Sequence, residues 1–305
     1  MATCTDVQVK RVSNPPRRLE GGGFEIRDIM SGFSTQDLDP FLMWHELPRK
    51  YNRPGEFPGA PMHPHRGFCE LPYAKEMSGG NTDQYGRMIG RDHKGNTVEM
   101  GSGDFEFGTV AGGIEHEAMS NPQWEGYMHF FQLWINLPAS QKFGQPSFQN
   151  AKSAALPVVT LAQSPQVTAK ILVGTLEGKT SPCQSAHVPM EYIDFEAKPN
   201  VEYSHEPPKE LARKLAFVYR GSGVVAGKEC SEGQFVQFTD GDRIVVSSGS
   251  EGLGMLFIAA KPLGEPVVQY GPFVMNTQEQ IKQCFSDYQR GELCKGPCSR
   301  VKYEA

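Results

Sequence analysis

The sequence lacks several features that would place it in a specialised class of protein. No uninterrupted apolar run approaches the roughly 20 residues of a transmembrane helix, so we expect no membrane span. Residues 1–18 lack the apolar core of a signal peptide, and we expect a protein of the cytoplasm, the nucleus or both rather than a secreted one. The net charge of -5 lacks the positive excess of a nucleic-acid-binding surface, so direct binding to DNA or RNA is not expected.

A disulfide framework is also missing. The seven cysteines form an odd set without regular spacing, which favours a reducing compartment. Cys284, Cys294 and Cys298 cluster near the end of the chain without a fourth zinc ligand nearby. We therefore expect free thiols on a mobile tail.

Short strands dominate what the sequence does contain. Its 33 glycines and 23 prolines divide it into short segments, and residues 129–137 alternate between apolar and polar positions as a strand does. Residues 215–219 and 224–226 predict a hairpin around a Gly-rich turn. Regularly spaced short strands with glycine turns indicate an all-β fold, either a sandwich or a barrel.

The chain length of 305 residues suits two such domains. The Ser/Gln/Pro/Ala-rich segment 138–155 is the natural linker, which predicts domains at 1–140 and 141–305. The second domain is expected to end in a helix at about 277–290, because Thr277 and Gln280 fit a capping box and Gly291 can end the helix.

Three histidines, His63, His65 and His116, indicate a metal site. His63 and His65 stand two residues apart, and alternate side chains of a strand share a face, so both imidazoles point the same way. His116 from a neighbouring strand can complete one side of a metal shell. Neutral imidazoles suit iron, copper, zinc or nickel far better than calcium or magnesium.

The spacing of these histidines matches the two-part pattern of cupins, with Glu70 four residues beyond His65 and a Gly-x-x-His motif ending at His116. The chain resembles pirins in particular. The resemblance rests on residues 39–42, 63–68, 113–116, 133–137 and 266–277, the last of which includes Gly-Pro-Phe-Val-Met-Asn-Thr.

This resemblance implies two tandem cupin domains, each a jelly-roll β-barrel, with a metal site in the first only. It assigns His63, His65 and His116 as metal ligands. The implied metal is iron, as Fe(II) or Fe(III), with copper, nickel, zinc and manganese as alternatives. The glutamate that pirins place two residues beyond the last histidine is Ala118 here.

Two glutamates are candidates for the missing carboxylate. Glu70 has the ordinary cupin spacing, whereas pirins typically place a glutamate one position earlier, where Cys69 stands; Gly67 could reset the strand so that Glu70 faces inward. Glu117 is adjacent to Ala118 but by strand parity points away from the face of His116, unless a bulge re-aims it. A site of three histidines and water is the remaining option.

The resemblance also implies activity. Pirins are associated with ring-opening dioxygenation of flavonols such as quercetin, with a small aromatic substrate and dioxygen as partners and Glu70 or Glu117 as catalytic base. We expect a monomer whose pocket has aromatic walls, drawn from Phe68, Tyr73, Phe105, Phe107 and Trp134. An alternative function is iron-dependent transcriptional co-regulation through a bound transcription factor, and a third is a degenerate site without turnover.

Overall fold

The computed structural model describes residues 4–304 and confirms an all-β fold. The described residues form 25 strands and three α-helices, numbered here in chain order. The strands are β1 Val9–Ser13, β2 Arg17–Glu20, β3 Phe24–Asp28, β4 Phe41–Asn52, β5 Ala60–His65, β6 Phe68–Ser78, β7 Met88–Asp92, β8 Thr97–Met100, β9 Phe105–Thr109, β10 Ile114–Ser120, β11 Gly126–Asn136, β12 Ser147–Ala151, β13 Val158–Leu161, β14 Ser164–Val173, β15 Thr175–Leu176, β16 Lys179–Thr180, β17 Met190–Ala197, β18 Glu202–His205, β19 Arg213–Val225, β20 Lys228–Ser231, β21 Phe235–Phe238, β22 Ile244–Ala260, β23 Val268–Tyr270, β24 Phe273–Met275 and β25 Ser299–Tyr303.

The helices are few and short. They are α1 Thr35–Leu38, α2 Thr82–Tyr85 and α3 Gln278–Gln289. None of the helices described between residues 4 and 304 has the length and apolar character needed to cross a bilayer. Helix α3 is the predicted C-terminal helix, and its capping box is present: Thr277 accepts from the Gln280 backbone N–H at 3.2 Å, while the Gln280 side chain accepts from the Thr277 N–H at 3.1 Å.

The chain forms two compact units whose sequences interleave. The C-unit comprises the described residues up to Pro15, Ile29–Ser31 and Leu156–Pro262. The N-unit comprises Pro16–Asp28, Gly32–Ala155 and the described residues from Leu263 on. This division differs from the contiguous domains 1–140 and 141–305, because β1 pairs with β21 of the C-unit, whereas the described residues from Leu263 on, with β25 on β12, belong to the N-unit.

The C-unit is built on one nine-stranded sheet. Its central order is β1-β21-β19-β22-β17-β14-β13, with β18 on β22 and β20 on β19. The first strand of the chain therefore belongs here, since Val12 and Ser13 pair with Val236 and Phe235. The interior is filled by aliphatic and aromatic side chains such as Phe195, which leaves the unit with a packed core.

The N-unit combines two large sheets and the two-stranded sheet β23–β24. One large sheet has eight strands in the order β2-β3-β4-β11-β6-β9-β12-β25, and the other has four in the order β5-β10-β7-β8. The predicted linker contributes β12 to the larger sheet, and the end of the chain adds β25 parallel to β12. The tail that was expected to be mobile is thus an edge strand, and helix α3 also belongs to this unit.

Gly67 carries the chain from one sheet to the other. It lies between β5 and β6 with φ +95°, a left-handed conformation that favours glycine. A Cβ at this position would lie 1.9 Å from the carbonyl oxygen of Val274. The close approach fixes how β5, which carries His63 and His65, is followed by β6, which carries Glu70.

Candidate metal centre

The three predicted histidines come together in the N-unit. His63 and His65 lie on β5, and His63 is the direct cross-strand partner of His116 on β10. The ring centroids of His63 lie 4.6 Å from those of both His65 and His116, and His65 and His116 are 5.1 Å apart. One nitrogen from each ring lies within 4.8 Å of the others, so a single ion can contact all three.

Backbone oxygens orient the two rings on β5. Nδ1 of His63 lies 2.6 Å from the carbonyl oxygen of Pro61, and Nδ1 of His65 lies 3.4 Å from that of Pro272. An oxygen at Nδ1 fixes the tautomer that carries its proton there, as is usual for metal-binding histidines. Nε2 of each ring is then the nitrogen available to a metal.

In His116 a carboxylate, that of Glu70, lies near Nδ1 in place of a backbone oxygen. Nδ1 of His116 lies 3.4 Å from Oε1 of Glu70, and Nε2 of the same ring is buried without a hydrogen-bond partner. Buried polar atoms are nearly always satisfied, so an imidazole nitrogen that lacks a partner and lies close to two other imidazoles fits a metal ligand. The donor set of this structure therefore suits a transition metal such as iron or nickel.

Burial keeps the three imidazoles uncharged. It lowers the pKa of His63 to about 4 and the pKa of His116 to about 4, and for His63 the neighbouring His116 adds to the effect. The pKa of His65 is lowered well below its usual value, first by burial and then by the two neighbouring histidines. Neutral rings at physiological pH are the form that binds metals.

Glu70 is the carboxylate nearest to the histidines. It is 1% exposed, and burial raises its pKa to about 8 against the opposing influence of Arg300 and of a hydrogen bond from Gln132. Gln132 Nε2 donates to Oε2 at 3.3 Å, while Oε1 is buried without a hydrogen bond. Cys69, one position earlier, points elsewhere, since its Sγ lies 3.5 Å from Thr109 Oγ1.

Glu117 and Ala118 lie on β10 beyond His116. Glu117 forms an ion pair with Arg91 at 3.0 Å and is not part of the three-histidine cluster. A bulge does interrupt the β10–β5 register between His116 and Ala118, but the Glu117 carboxylate is engaged by its cross-strand partner Arg91. Glu117 nevertheless lines the cavity beside the cluster, so its role as a catalytic group stays a prediction.

A cavity of about 650 Å³ opens beside the cluster within the N-unit. Its lining includes the three histidines and Glu70, together with many apolar side chains. The apolar lining side chains include Phe24, Phe57, Phe130, Trp134, Met43, Met88, Met100 and Met128. A cavity of this size accommodates a small aromatic molecule.

The predicted aromatic walls are only partly correct. Trp134 lines the cavity, whereas Phe68, Tyr73, Phe105 and Phe107 do not. Phe68 instead stacks under Trp134 with ring centroids 4.1 Å apart. The other three are core residues, at most 1% exposed: Tyr73, Phe105 and Phe107.

Among the charged residues of the cavity that the sequence did not indicate are Glu106 and Arg300. Glu106 on β9 is buried and lines the cavity, and Arg300 on β25 lines it as well. Glu106 falls in the segment Phe105-Glu106-Phe107, where alternation between two apolar residues predicts a solvated side chain. Arg300 lies in the tail for which no strand was predicted.

The fold and the site define the class: a bicupin with a three-histidine cluster in one unit. Among known families, the Pirin model matches residues 23–135, and the model of the Pirin C-terminal cupin domain matches residues 192–294. The chain is 34% identical over 280 residues to the pirin of Homo sapiens, covering 90% of this chain and 89% of the human protein. It belongs to the pirin family.

Other relatives and structures agree. The chain is 31% identical to a Vibrio cholerae protein named "Putative quercetin 2,3-dioxygenase", covering 94% of this chain and 98% of that protein. A quercetin 2,3-dioxygenase structure from Acinetobacter baumannii shares the fold with a TM-score of 0.83 at 23% identity, covering 94% of this chain and 98% of that one. The structure of a bacterial pirin from Escherichia coli in complex with nickel(II) also shares the fold, with a TM-score of 0.60 at 17% identity. The match covers 83% of this chain and 100% of that one.

Proposed function

We propose that this chain is a metal-dependent dioxygenase that opens the ring of flavonol-type aromatic substrates, with dioxygen as co-substrate and iron as the metal. The observation that carries the proposal is the convergence of His63, His65 and His116, with the buried Glu70, on a largely apolar cavity of about 650 Å³. The name of the Vibrio cholerae relative and that of the Acinetobacter baumannii structure support the substrate class.

The histidines would hold the metal through Nε2, and Glu70 is the buried carboxylate at Nδ1 of His116 rather than one of the three converging ligands. A bound transition metal supplies Lewis acidity toward a hydroxyl or enolate oxygen of the substrate and a redox-active centre for dioxygen. Gln132 donates a hydrogen bond to Oε2 of Glu70, and Nδ1 of His116 lies 3.4 Å from Oε1.

Glu70 also suits the role of general base. Its Oε1 atom is buried and accepts no hydrogen bond, so it can accept the proton of a substrate hydroxyl. A pKa of about 8 lets this carboxyl hold a proton near neutral pH, and a bound cation favours its ionised form. The ionised form, which a bound cation would favour, is the one that can act as the base.

The apolar walls bind and orient the substrate. Phe130 and Trp134 come from β11, and the flexible thioethers of Met88 and Met128 adapt to the outline of a planar ring system. Burial of the rings excludes water from the reacting face.

Oxygen uptake tests the proposal. Protein loaded with Fe(II) is expected to consume quercetin and dioxygen in equal amounts, and His116→Ala is expected to abolish both metal retention and turnover. His187→Ala provides a matched control, because His187 is exposed and lies in the C-unit. Metal-loaded protein that leaves quercetin unchanged with iron, nickel, copper and manganese would refute the proposal.

A further inference from the structure

We propose that Arg300, delivered by the C-terminal strand β25, is a positioning residue of the metal centre. Its guanidinium links the two large sheets of the N-unit by contacting both Asp92, the cross-strand partner of His116, and Glu106. This inference rests on the proposed metal site but not on the identity of the substrate. Arg300 lies beyond residues 23–135 and 192–294, which match the family models, so it is a feature of this chain outside those matches.

The first ion pair of Arg300 is with Asp92 of the four-stranded sheet. Asp92 on β7 is the direct cross-strand partner of His116, and its side chain is fully buried. Arg300 Nη2 and Nε donate to Asp92 Oδ2 at 2.9 and 3.3 Å. The other oxygen, Oδ1, accepts from the backbone N–H groups of Lys94 and Asn96, which fixes the carboxylate from both sides.

The second ion pair of Arg300 is with Glu106 of the eight-stranded sheet. Arg300 Nη1 donates to Glu106 Oε2 at 3.2 Å, and Asn150 also donates to that oxygen. Glu106 and Arg300 both line the cavity that contains Glu70 and His116. A planar guanidinium can serve two carboxylates at once, whereas an ammonium group cannot reproduce this fork.

The position of Arg300 itself is well defined. Its guanidinium carbon lies 4.2 Å from the centre of the Phe148 ring, and β25 pairs in parallel with β12 from Ser147 to Ala151. The side chain is 12% exposed. Stacking on Phe148 and the backbone hydrogen bonds between β25 and β12 therefore hold the guanidinium of Arg300 between the two sheets.

The consequence for the site is geometric. His116 lies on the four-stranded sheet, while Glu70 and Glu106 lie on the eight-stranded one. Because Arg300 couples Asp92 to Glu106, it sets the separation between the strand of His116 and the strand of Glu106, which pairs with that of Glu70. Partners behind the direct ligands commonly change metal affinity by about 10- to 100-fold when removed.

Cobalt(II) titration tests this role without using turnover. The apo protein is titrated with Co²⁺, and the visible absorption bands report both affinity and coordination geometry. Arg300→Gln is expected to weaken Co²⁺ binding by about tenfold and to change the spectrum. Arg300→Lys keeps the positive charge but loses the planar guanidinium that reaches two carboxylates. It is expected to change the Co²⁺ affinity and the spectrum in the same direction as Arg300→Gln does.

Two further variants complete the design. Lys302→Gln removes the same charge from an exposed residue of the same strand and is expected to leave affinity and spectrum unchanged. If Arg300 acts through Glu106, the effects of Arg300→Gln and Glu106→Gln are expected to be non-additive in a double-mutant cycle.

Each outcome decides the inference. A folded Arg300→Gln or Arg300→Lys protein with the affinity and spectrum of the wild type would overturn it. If Arg300→Gln does not fold, the same comparison is made with Arg300→Lys and Glu106→Gln. Wild-type protein that binds Co²⁺ but leaves quercetin unchanged when loaded with iron, nickel, copper or manganese would refute the proposed function and leave this inference standing.

Discussion

Oε1 of Glu70 lies 3.4 Å from Nδ1 of His116, although the two residues belong to different sheets of the N-unit. The glutamate that pirins place two residues beyond the last histidine is an alanine in this chain. The carboxylate that faces the cluster thus comes from β6 rather than from β10. This relationship makes Glu70 the residue whose replacement is most informative.

Glu70→Gln is expected to keep the fold and to lose activity. The amide preserves the shape of the side chain but cannot accept a hydroxyl proton, so quercetin turnover is expected to fall by about 100-fold or more. Metal affinity is expected to fall in the same variant if the carboxylate binds the ion. Oxygen consumption and metal titration measure the two effects separately.

Glu117→Gln is the matched control for Glu70→Gln. The carboxylate of Glu117 is paired with Arg91 and is not among the groups that converge with the three imidazoles. Turnover and metal affinity of this variant are expected to equal those of the wild type. A Glu117→Gln protein that loses activity while Glu70→Gln retains it would reverse the assignment of the two carboxylates.

Ala118→Glu restores a carboxylate at the position used by pirins. In combination with Glu70→Gln, it is expected to recover most of the metal affinity that the single Glu70→Gln variant loses. Ala118 lines the cavity, so a longer side chain there has room to approach the ion. Isothermal titration of the single and double variants with one metal checks this expectation, and a double variant no tighter than Glu70→Gln would contradict it.

Gly67→Ala is expected to destabilise the N-unit strongly. The added methyl group would lie 1.9 Å from the Val274 oxygen, and the backbone is in the left-handed region. Gly95→Ala is the control, since Gly95 has φ +79° but no atom within 4 Å of an added Cβ. We expect a loss of about 1 kcal/mol in unfolding free energy for Gly95→Ala and about 3 kcal/mol or more for Gly67→Ala, measured by urea denaturation.

Local signals in the sequence predicted the C-terminal helix correctly but misplaced a hairpin. The capping box at Thr277 located helix α3 to within a residue, because both of its hydrogen bonds are made by neighbours in the chain. The hairpin predicted for residues 215–226 is wrong: β19 is continuous from Arg213 to Val225, and Gly221 lies beside a register shift within it. Glycine favours bulges as well as turns, and the sequence does not distinguish them.

Long-range pairing could not be predicted from these signals. The three-histidine cluster was predicted because His63 and His65 share a strand and His116 has a recognisable motif. Arg300 was missed because β25 is stabilised by its parallel pairing with β12, about 150 residues earlier in the chain. Whether an isolated arginine is exposed or bridges two buried carboxylates depends on such pairing and not on its own neighbours.

His45, which lines the same cavity but is not one of the three converging histidines, provides a test of pH dependence. Its Nδ1 lies 2.8 Å from Glu20 and its Nε2 lies 3.6 Å from Asp28, both on the β2–β3 hairpin. Burial opposes protonation of the ring, but hydrogen bonds to Asp28 and Glu20 outweigh it and raise the pKa of His45 above its usual 6.5. Burial is likewise outweighed for the two carboxyls, whose pKa values are lowered from 4.5 for Glu20 and 3.8 for Asp28.

The sign of the effect follows from these directions. The raised pKa of His45 stabilises the fold fully below pH 6.5 and loses its effect as the pH rises through the folded-state value. The lowered pKa values of the carboxyls stabilise it above about pH 4.5 and lose their effect as the pH falls. His45→Gln is therefore expected to lower the Tm most between about pH 4.5 and 6.5 and less at pH 9. Thermal melts of the two proteins across this range provide the measurement, and a Tm difference independent of pH would show that His45 contributes by packing alone.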